Sequence, residues 1–294
     1  LMATLNNQID FAVIVNVKNA NPNGDPLNGN RPRVDYDGFG ELSDVCIKRK
    51  IRNRLMDMGQ AIFVQSDDKR VDDYRSLRSR AEGVLKGVNM KDEVKYREAA
   101  CGTWVDVRAF GQVFAYKGGD EAGVSIGIRG PVSIHPAFSV APVLDRISSI
   151  QITKSVSGEG DGSKRGSDTM GMKHRVDHGV YVFYGSINPQ LAEKTGFSDE
   201  DGEAIKKAIC TLFENDASSA RPEGSMEVYR VYWWKHANKT GQFSSAKVHR
   251  VIADSVKLKP GVTEPKSIAD YEIPDQAAVE QALPGLPCEI LDDK

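Results

Sequence analysis

The sequence predicts an α+β fold, a βαββαβ core interrupted by large insertions, and three observations lead there. Residues 9–18, IDFAVIVNVK, are dense in Val and Ile and predict a buried first strand. Residues 43–58 place Ile47, Ile51, Leu55 and Met58 at helical spacing behind Ser43, a good N-cap, and Asp44, which suits the positive end of a helix dipole. GVYVFYGSI, SDEDGEAIKKAICTLFEND and SMEVYRVYWW then give strand, helix and strand again. That order is the order of a ferredoxin-like domain. RNA-recognition modules share the fold and receive single strands on the sheet face and its loops. The expectation is a ferredoxin-like, RNA-recognition-motif-like (βαββαβ) core.

Each element follows from its residues. After the first strand, NANPNGDPLNGNRPRVDYDGFGE is rich in Asn, Gly, Pro and Asp and predicts a long loop, of the kind that is functional or partner-bound. Residues 69–98 are charged and helical in pattern, with Leu77, Ala81, Val84 and Leu85 as a weak apolar seam, so an inserted helical segment is expected at about 66–104. SIGIRGPVSIH reads as a strand and a Pro-marked bend. SSIQITKSV alternates like a strand, and GEGDGSKRGSDTMG reads as a flexible loop or hairpin tip. Ser198 caps a helix with acids in its first turn and Ile205, Ile209, Leu212 and Phe213 on one face. SSAKVHRVIADSVKL is expected to pair beside the last strand. No internal repeat is found. The expected division is a domain over 1–262 and an acidic segment over 263–294.

With 294 residues, 40% hydrophobic and 27% charged, the chain can bury one large core or two modest ones. No apolar run approaches bilayer length, so no membrane partner is expected. LMATLNNQID lacks a basic stretch followed by an apolar one, so no secretory leader is expected. Cys46, Cys101, Cys210 and Cys288 show no paired spacing, which argues for free thiols in a reducing cytoplasm and against a zinc ribbon. A formal charge of −2 does not itself suggest nucleic acid. Its distribution is more telling, because eight acids against two lysines fall after residue 263 and leave a net basic body.

Catalytic patterns are sparse. His174 and His178 stand four apart and could share a helical face as metal ligands, but no third ligand is placed and a strand follows, so polar loop or strand-edge roles fit better. GEGDGSKRG lacks P-loop spacing, and no nucleophile elbow occurs. Asp25, Asp35 and Asp37 could hold Mg²⁺, though turn formation is the commoner use of such residues. Binding patterns are richer. Lys48, Arg49 and Arg52 fall on one arc of the first helix, with Lys50 and Arg54 on the other side and no acid between Asp44 and Asp57. That reads either as a solvated face or as a surface for a polyanion. Arg108, Arg129, Lys154, Lys164, Arg165, Lys173 and Arg221 stand near Gly, Ser or Thr, where a phosphate backbone can approach. Each alone also reads as ordinary surface charge. Met170 is either a wedge against a base or packing at a hairpin root. Tyr232, Trp233 and Trp234 fit core and strand edge better than a stacking platform.

These residues carry a resemblance. NANPNGDPLNGNRPRVD, LSDVCIKRKIRNRL, DVRAFG, IRGPVSIHPAFS, DTMGMKHRVDHGVYVFYGSINP and FENDASSARPEGSMEVYRVY occur in one order over residues 9–234. Together they resemble the backbone subunit of the type I-C CRISPR Cascade complex, of the Csd-type Cas-seven family in the RAMP superfamily. The resemblance implies a palm with an inserted thumb β-hairpin, at about 138–172. It implies head-to-tail copies that bind the backbone of a CRISPR RNA and leave its bases to pair with target DNA in antiviral defence. Partners implied are the guide, other copies, and the Cas-five-type processing, large and small Cascade subunits, with phage anti-CRISPR proteins as antagonists. Neither catalytic residue, metal nor cofactor is implied.

In that reading Lys48, Arg49 and Arg52 neutralise guide phosphates, with Ser43 as a polar neighbour. Arg108 and Arg129 are further backbone contacts, and Lys154 and Arg221 join them. Met170 is the wedge of the thumb tip, and Lys173 and His174 lie near its base. Lys50 and Arg54 are left for a neighbouring copy or target DNA. The alternative is a metal-dependent RNA endonuclease of the same fold using Asp25, whose NGDP setting departs from the pattern that activity requires. The acidic segment is expected to dock on a neighbouring copy or to shield the RNA surface.

Overall fold

Strand β1 (Ile9–Ala20) is apolar at nearly every position of its first nine residues, and its fate follows from that composition. A strand with no polar face must be covered on both sides and paired on both edges. In the computed structural model, which describes residues 3–116, 124–153 and 170–292, β1 lies inside an eight-stranded sheet. The loop after it holds β2 (Gly24–Asp25) and β3 (Arg31–Pro32), and leads through β4 (Phe39–Leu42) to helix α1 (Asp44–Asp57). The helical insert follows as α2 (Leu77–Val84), α3 (Glu93–Thr103) and α4 (Val105–Phe110), closed by a hairpin of β5 (Gly111–Tyr116) and β6 (Val124–Arg129). Then come β7 (Val132–Ile134), β8 (Ala137–Pro142), β9 (Ile147–Thr153) and the long β10 (Met170–Ile187). The chain ends with α5 (Pro189–Thr195), α6 (Asp199–Cys210), β11 (Met226–Lys235), α7 (Ser245–Ser255), β12 (Lys257–Leu258), β13 (Tyr271–Glu272), α8 (Gln276–Ala282) and β14 (Cys288–Asp292).

The sheet order is β14-β11-β1-β10-β8-β4, with antiparallel pairing throughout. β10 is long enough to serve three partners in turn. It pairs β7 at Gly185–Ile187, β8 at Tyr181 and Val182, and β9 from Val176 back to Met170. Alternation along β1 builds two cores. Phe11, Val13, Val15 and Val17 face Ile47, Ile51 and Leu55 of α1 and Ile205 and Ile209 of α6. Ala12 and Ile14 face Tyr232, Trp234, Val248 and Ile252, with Val279, Leu283 and Leu286 closing over them. Each fully buried large apolar side chain is worth roughly 1.5–3 kcal/mol, so both faces hold the sheet. A third core, with Phe63, Tyr96, Trp104 and Phe114, belongs to the insert. Its first helices fall within the expected segment, while the β5–β6 hairpin that completes it lies beyond residue 104.

Two glycines fix the insert against the sheet. A Cβ on Gly111, at φ +80°, would run into the Ile128 carbonyl, and one on Gly130 into the Ala109 carbonyl. Only glycine permits that backbone approach. The motifs DVRAFG and IRGP are thus the two sides of one backbone crossing.

Several sequence expectations change. Residues 244–258 were expected as a pairing strand, but α7 is a helix. Ser244 accepts from the Lys247 backbone at 3.3 Å, and Val248 and Ile252 are buried one turn apart. The edge of β11 that such a strand would have used is taken by β14, paired from Trp234–Cys288 to Arg230–Asp292. Residues within the acidic 263–294 segment supply β13, α8 and β14 and close the second core. Of the stretch expected as a projecting hairpin, β8 lies in the central sheet, and β9 with the start of β10 forms the paired arms. Lys154, the Met170 side chain and the hairpin tip between them lie outside the described residues. Among the described residues no helix is long and apolar enough to cross a membrane.

Candidate nucleic-acid interface

The first helix begins as its sequence requires: the Ser43 hydroxyl accepts from the Cys46 N–H at 3.2 Å, and the Ser43 N–H donates to Asn23 Oδ1 at 2.9 Å. Its cations, expected to be unpaired, all have partners. Lys48 reaches Asp44 one turn back at 2.9 Å. Arg49 donates to the Val64 carbonyl at 2.6 Å, and burial, then Arg52, pull its pKa down. Arg52 Nε meets Asp106 Oδ2 at 2.9 Å and its guanidinium lies over Phe110. The Asp106 carboxylate is only 1% exposed and also accepts from the Phe63 and Val64 N–H groups. Lys50 is buried against Asp216, and burial lowers its pKa despite that partner. Arg54 binds Thr211 and Glu214 beyond the end of α6. The absence of acids within the helix was read correctly from the sequence, but the fold supplies them from α4 and residues 214–216. Lys50 and Arg54 therefore fasten α1 within the chain rather than facing a neighbour or DNA.

Arg108 is committed in the same way. It forms a bidentate pair with Asp201 at 2.8 and 2.7 Å and also donates to the Cys101 carbonyl. Asp201 completes a capping box with Ser198, so Arg108 ties α4 to the start of α6.

A different set of cations gathers at the β9–β10 arms. Asn19, Ser148, Ile150, Lys173, Arg175 and Ser219 line a cleft of about 210 Å³. Lys173 has no ion-pair partner among the described residues, and Arg175 makes a half-exposed 3.3 Å contact to Asp177. Strand alternation puts Lys173 and Arg175 on one side of β10. Arg221 sits beside the cleft wall, 3.4 Å from Asp216. On the next pair, His174 is 8% exposed with its Nδ1 at 2.7 Å from Ser149 Oγ, which also accepts from Arg31 at 3.3 Å. Burial, then the Arg31 charge, lower the His174 pKa. Ile150 and Met172 stand 48% and 53% exposed on the same arms; Ile150, opposite Lys173 in the register, shares its side, and Met172 lies on the other. Arg129 is exposed at the end of β6, without an ion pair among the described residues. The cleft thus brings Lys173 together with Arg175; His174 lies on the other side of β10, and Arg221 pairs with Asp216, as Lys48, Arg49, Arg52 and Arg108 bind their own chain. Sequence reasoning missed Arg31, Arg175, Ile150 and Met172. The i, i+2 spacing of Lys173 and Arg175 was the signal for the second cation.

Other candidates resolve into structural roles. Tyr232, Trp233 and Trp234 are 0–3% exposed and offer no stacking platform. Asp25 Oδ1 accepts from the Leu27 N–H at 3.1 Å and lies 3.6 Å from Arg33, while Asp35 accepts from the N–H groups of Asp37 and Phe39. His174 and His178 lie on a strand, not a helix. Among the described residues no group of three or more His, Cys, Asp or Glu could hold a metal ion.

A family model described as CRISPR-associated protein Cas7 matches residues 7–275 of this chain. A CRISPR-associated protein Cas7 of Haloferax volcanii is 29% identical over 234 residues, spanning 74% of this chain and 67% of the relative. A chain of a CRISPR RNA-guided surveillance complex, pre-nicking, is 13% identical with a TM-score of 0.48, covering 94% of this chain and 87% of its own. A chain of a CRISPR RNA-guided surveillance complex is 18% identical with a TM-score of 0.45, covering 87% and 78%.

Proposed function

The chain belongs to the CRISPR-associated protein Cas7 family, and from that premise we propose that it is the CRISPR RNA-binding backbone subunit of a surveillance complex of type I-C. Copies stack along the guide, and the guide's bases pair with target DNA alongside the other Cascade subunits. The observation that carries the reading is the grouping of Lys173 and Arg175 with the exposed Ile150 on one side of the β9–β10 arms, while Met172 is exposed on the other side. Cations hold phosphates without reading sequence, and apolar side chains beside them separate or stack bases. The order β11-β1-β10-β7 supports a ferredoxin-like palm, with β9 and the start of β10 as the root of the thumb.

In this assignment Lys173, Arg175, Arg31 and Arg129 meet guide phosphates. His174 and Arg221 flank them; the guide contacts expected of Lys154 and Met170 fall on side chains outside the described residues. Ser43, Lys48 and Arg49 form an outer margin where the partly exposed Lys48–Asp44 pair can open. Arg52 and Arg108 position the elements rather than bind.

The test is purification from cells expressing a CRISPR array and the partner subunits, reading particle mass, absorbance at 260 and 280 nm and the length of bound RNA. The expected result is a large particle with RNA of defined length, lost in Lys173→Glu/Arg175→Glu while the melting temperature holds. Unchanged RNA content in that double variant removes the assigned surface. A nucleic-acid-free monomer in the presence of the partners removes the function.

A further inference from the structure

Beside the basic cleft lies a second, larger one of about 710 Å³, between the end of the central sheet and residues 258–266. Its volume is within the usual range of small-ligand pockets, roughly 300–1,000 Å³. The two clefts share Asn19, whose φ of +54° turns the chain just as β1 ends. Lys18 and His178, directly opposite in the β1–β10 register, both line the second cleft. Lys18 is exposed and has no ion-pair partner among the described residues. Arg146 enters from the other side, held by one bond from its guanidinium to the Pro265 carbonyl at 2.9 Å.

His178 is the anomaly. The residue is 5% exposed, and its Nε2 is buried with no hydrogen-bond partner among the described residues. The Tyr271 ring flanks it at 5.9 Å. A buried polar atom left unpaired costs the free chain stability, and a ligand that pairs it recovers that loss on binding. The group that fits is constrained. A ring nitrogen donates in one tautomer and accepts in the other, and a hydroxyl satisfies both. Asp145, Asp177 and Glu264 line the cleft beside Lys18, Arg146 and Lys266 and oppose a second phosphate inside it.

We propose that this cleft is a ribose-reading subsite, in which Lys18 and Arg146 hold a phosphate of the bound strand and the His178 ring takes a hydrogen bond with the adjacent ribose 2′-hydroxyl. The inference rests on the reading of the chain as an RNA binder and extends it: the cleft makes the chain prefer RNA over DNA, since the 2′-hydroxyl is what distinguishes them. His178 already lines the cleft, and only a rotation of its ring is needed to bring the buried Nε2 to the strand, a change of the kind common when interfaces fill.

The test uses the full chain with a single-stranded RNA and its 2′-deoxy counterpart as probes, read as a ratio of affinities. The wild-type ratio is expected to favour RNA, and His178→Phe to lower it by about three- to tenfold, the worth of one hydrogen bond. His178→Gln, which keeps a polar group at the site, retains part of the preference. An unchanged ratio in His178→Phe with RNA still bound overturns this inference alone. No RNA binding by the wild type overturns it together with the proposed function. If His178→Phe fails to fold, single 2′-deoxy substitutions are walked along the RNA against the wild-type chain. One position per bound copy should cost about threefold or more, and a flat profile overturns the subsite.

Discussion

At Arg52 and Asp106 a guanidinium and a carboxylate meet where water is excluded, and what each does depends on the other. Removing one partner strands the remaining charge, at a cost of about 3–5 kcal/mol. Asp106→Ala also orphans the N–H groups of Phe63 and Val64. Thermal unfolding of Asp106→Ala should therefore fall far below wild type, whereas Lys48→Ala, which breaks a partly exposed pair of about 0–1 kcal/mol, should hardly move it. Equal melting temperatures for the two would refute this ranking. The buried histidines add a pH dependence. Burial holds His178 and His249 below their usual pKa, so the unfolded chain binds protons first on acidification. Asp10 faces His249 at 3.6 Å and offsets part of that effect, with His135 opposing it. Stability is then full above about pH 6.5, the ordinary histidine pKa, and declines as pH falls through the lowered folded values. Urea midpoints from pH 7.5 to 5 check this, with a shallower decline expected in His249→Gln. At this scale the sequence was half legible. It showed the cations of α1 and the lack of acids among them, but partners 54 and 166 positions away leave no local pattern.

Between elements, the decisive contrast is α1 against the β9–β10 arms. Helical periodicity identified α1 and its buried stripe, and the capping serines located α1 and α6. The same reasoning failed at α7, where Val248, Val251 and Ile252 fit a helix but follow a convincing strand, and only the occupancy of the β11 edge by β14 decides between them. The arms were legible as strands, and the i, i+2 spacing of Lys173 and Arg175 put both on one side; what faces them across the pair depends on the register of β9 on β10, which no local pattern fixes. The functional contrast is testable. Ile150→Asp and Met172→Asp alter exposed positions and should leave melting unchanged while weakening RNA retention several-fold. Arg108→Ala should do the reverse, lowering stability through the lost Asp201 pair and reducing RNA only in proportion to unfolded chain. Normal RNA retention in both arm variants would move the interface elsewhere.

For the molecule as a whole, the sheet is covered on both faces, and this decides where a strand of RNA can go. The RNA-recognition-like fold expected from the sequence would offer an open sheet face, but α7, α8 and their connections bury this face of the central sheet. In the proposed function, binding therefore falls at the strand ends and the arms, where Lys18, Arg31, Lys173 and Arg175 lie although the chain carries a net charge of −2. The acidic C-terminal residues look separable in composition, yet Val279, Leu283, Leu286 and Cys288 cover Tyr232 and Trp234. β14 also closes the sheet edge and is clamped by the Arg230–Asp292 pair. Composition reports charge on the outward faces and is blind to a few apolar residues that complete a core. Ending the chain at residue 262 should therefore expose Trp234, shift tryptophan emission to the red and lower the unfolding midpoint. RNA binding would then be lost as a consequence of unfolding. A segment that merely docks on another copy behaves differently: its removal leaves emission and melting unchanged and alters only the assembly state. Measuring emission, melting and particle mass on the same truncated chain separates the two, because only core completion changes the first two at concentrations where the chain is monomeric.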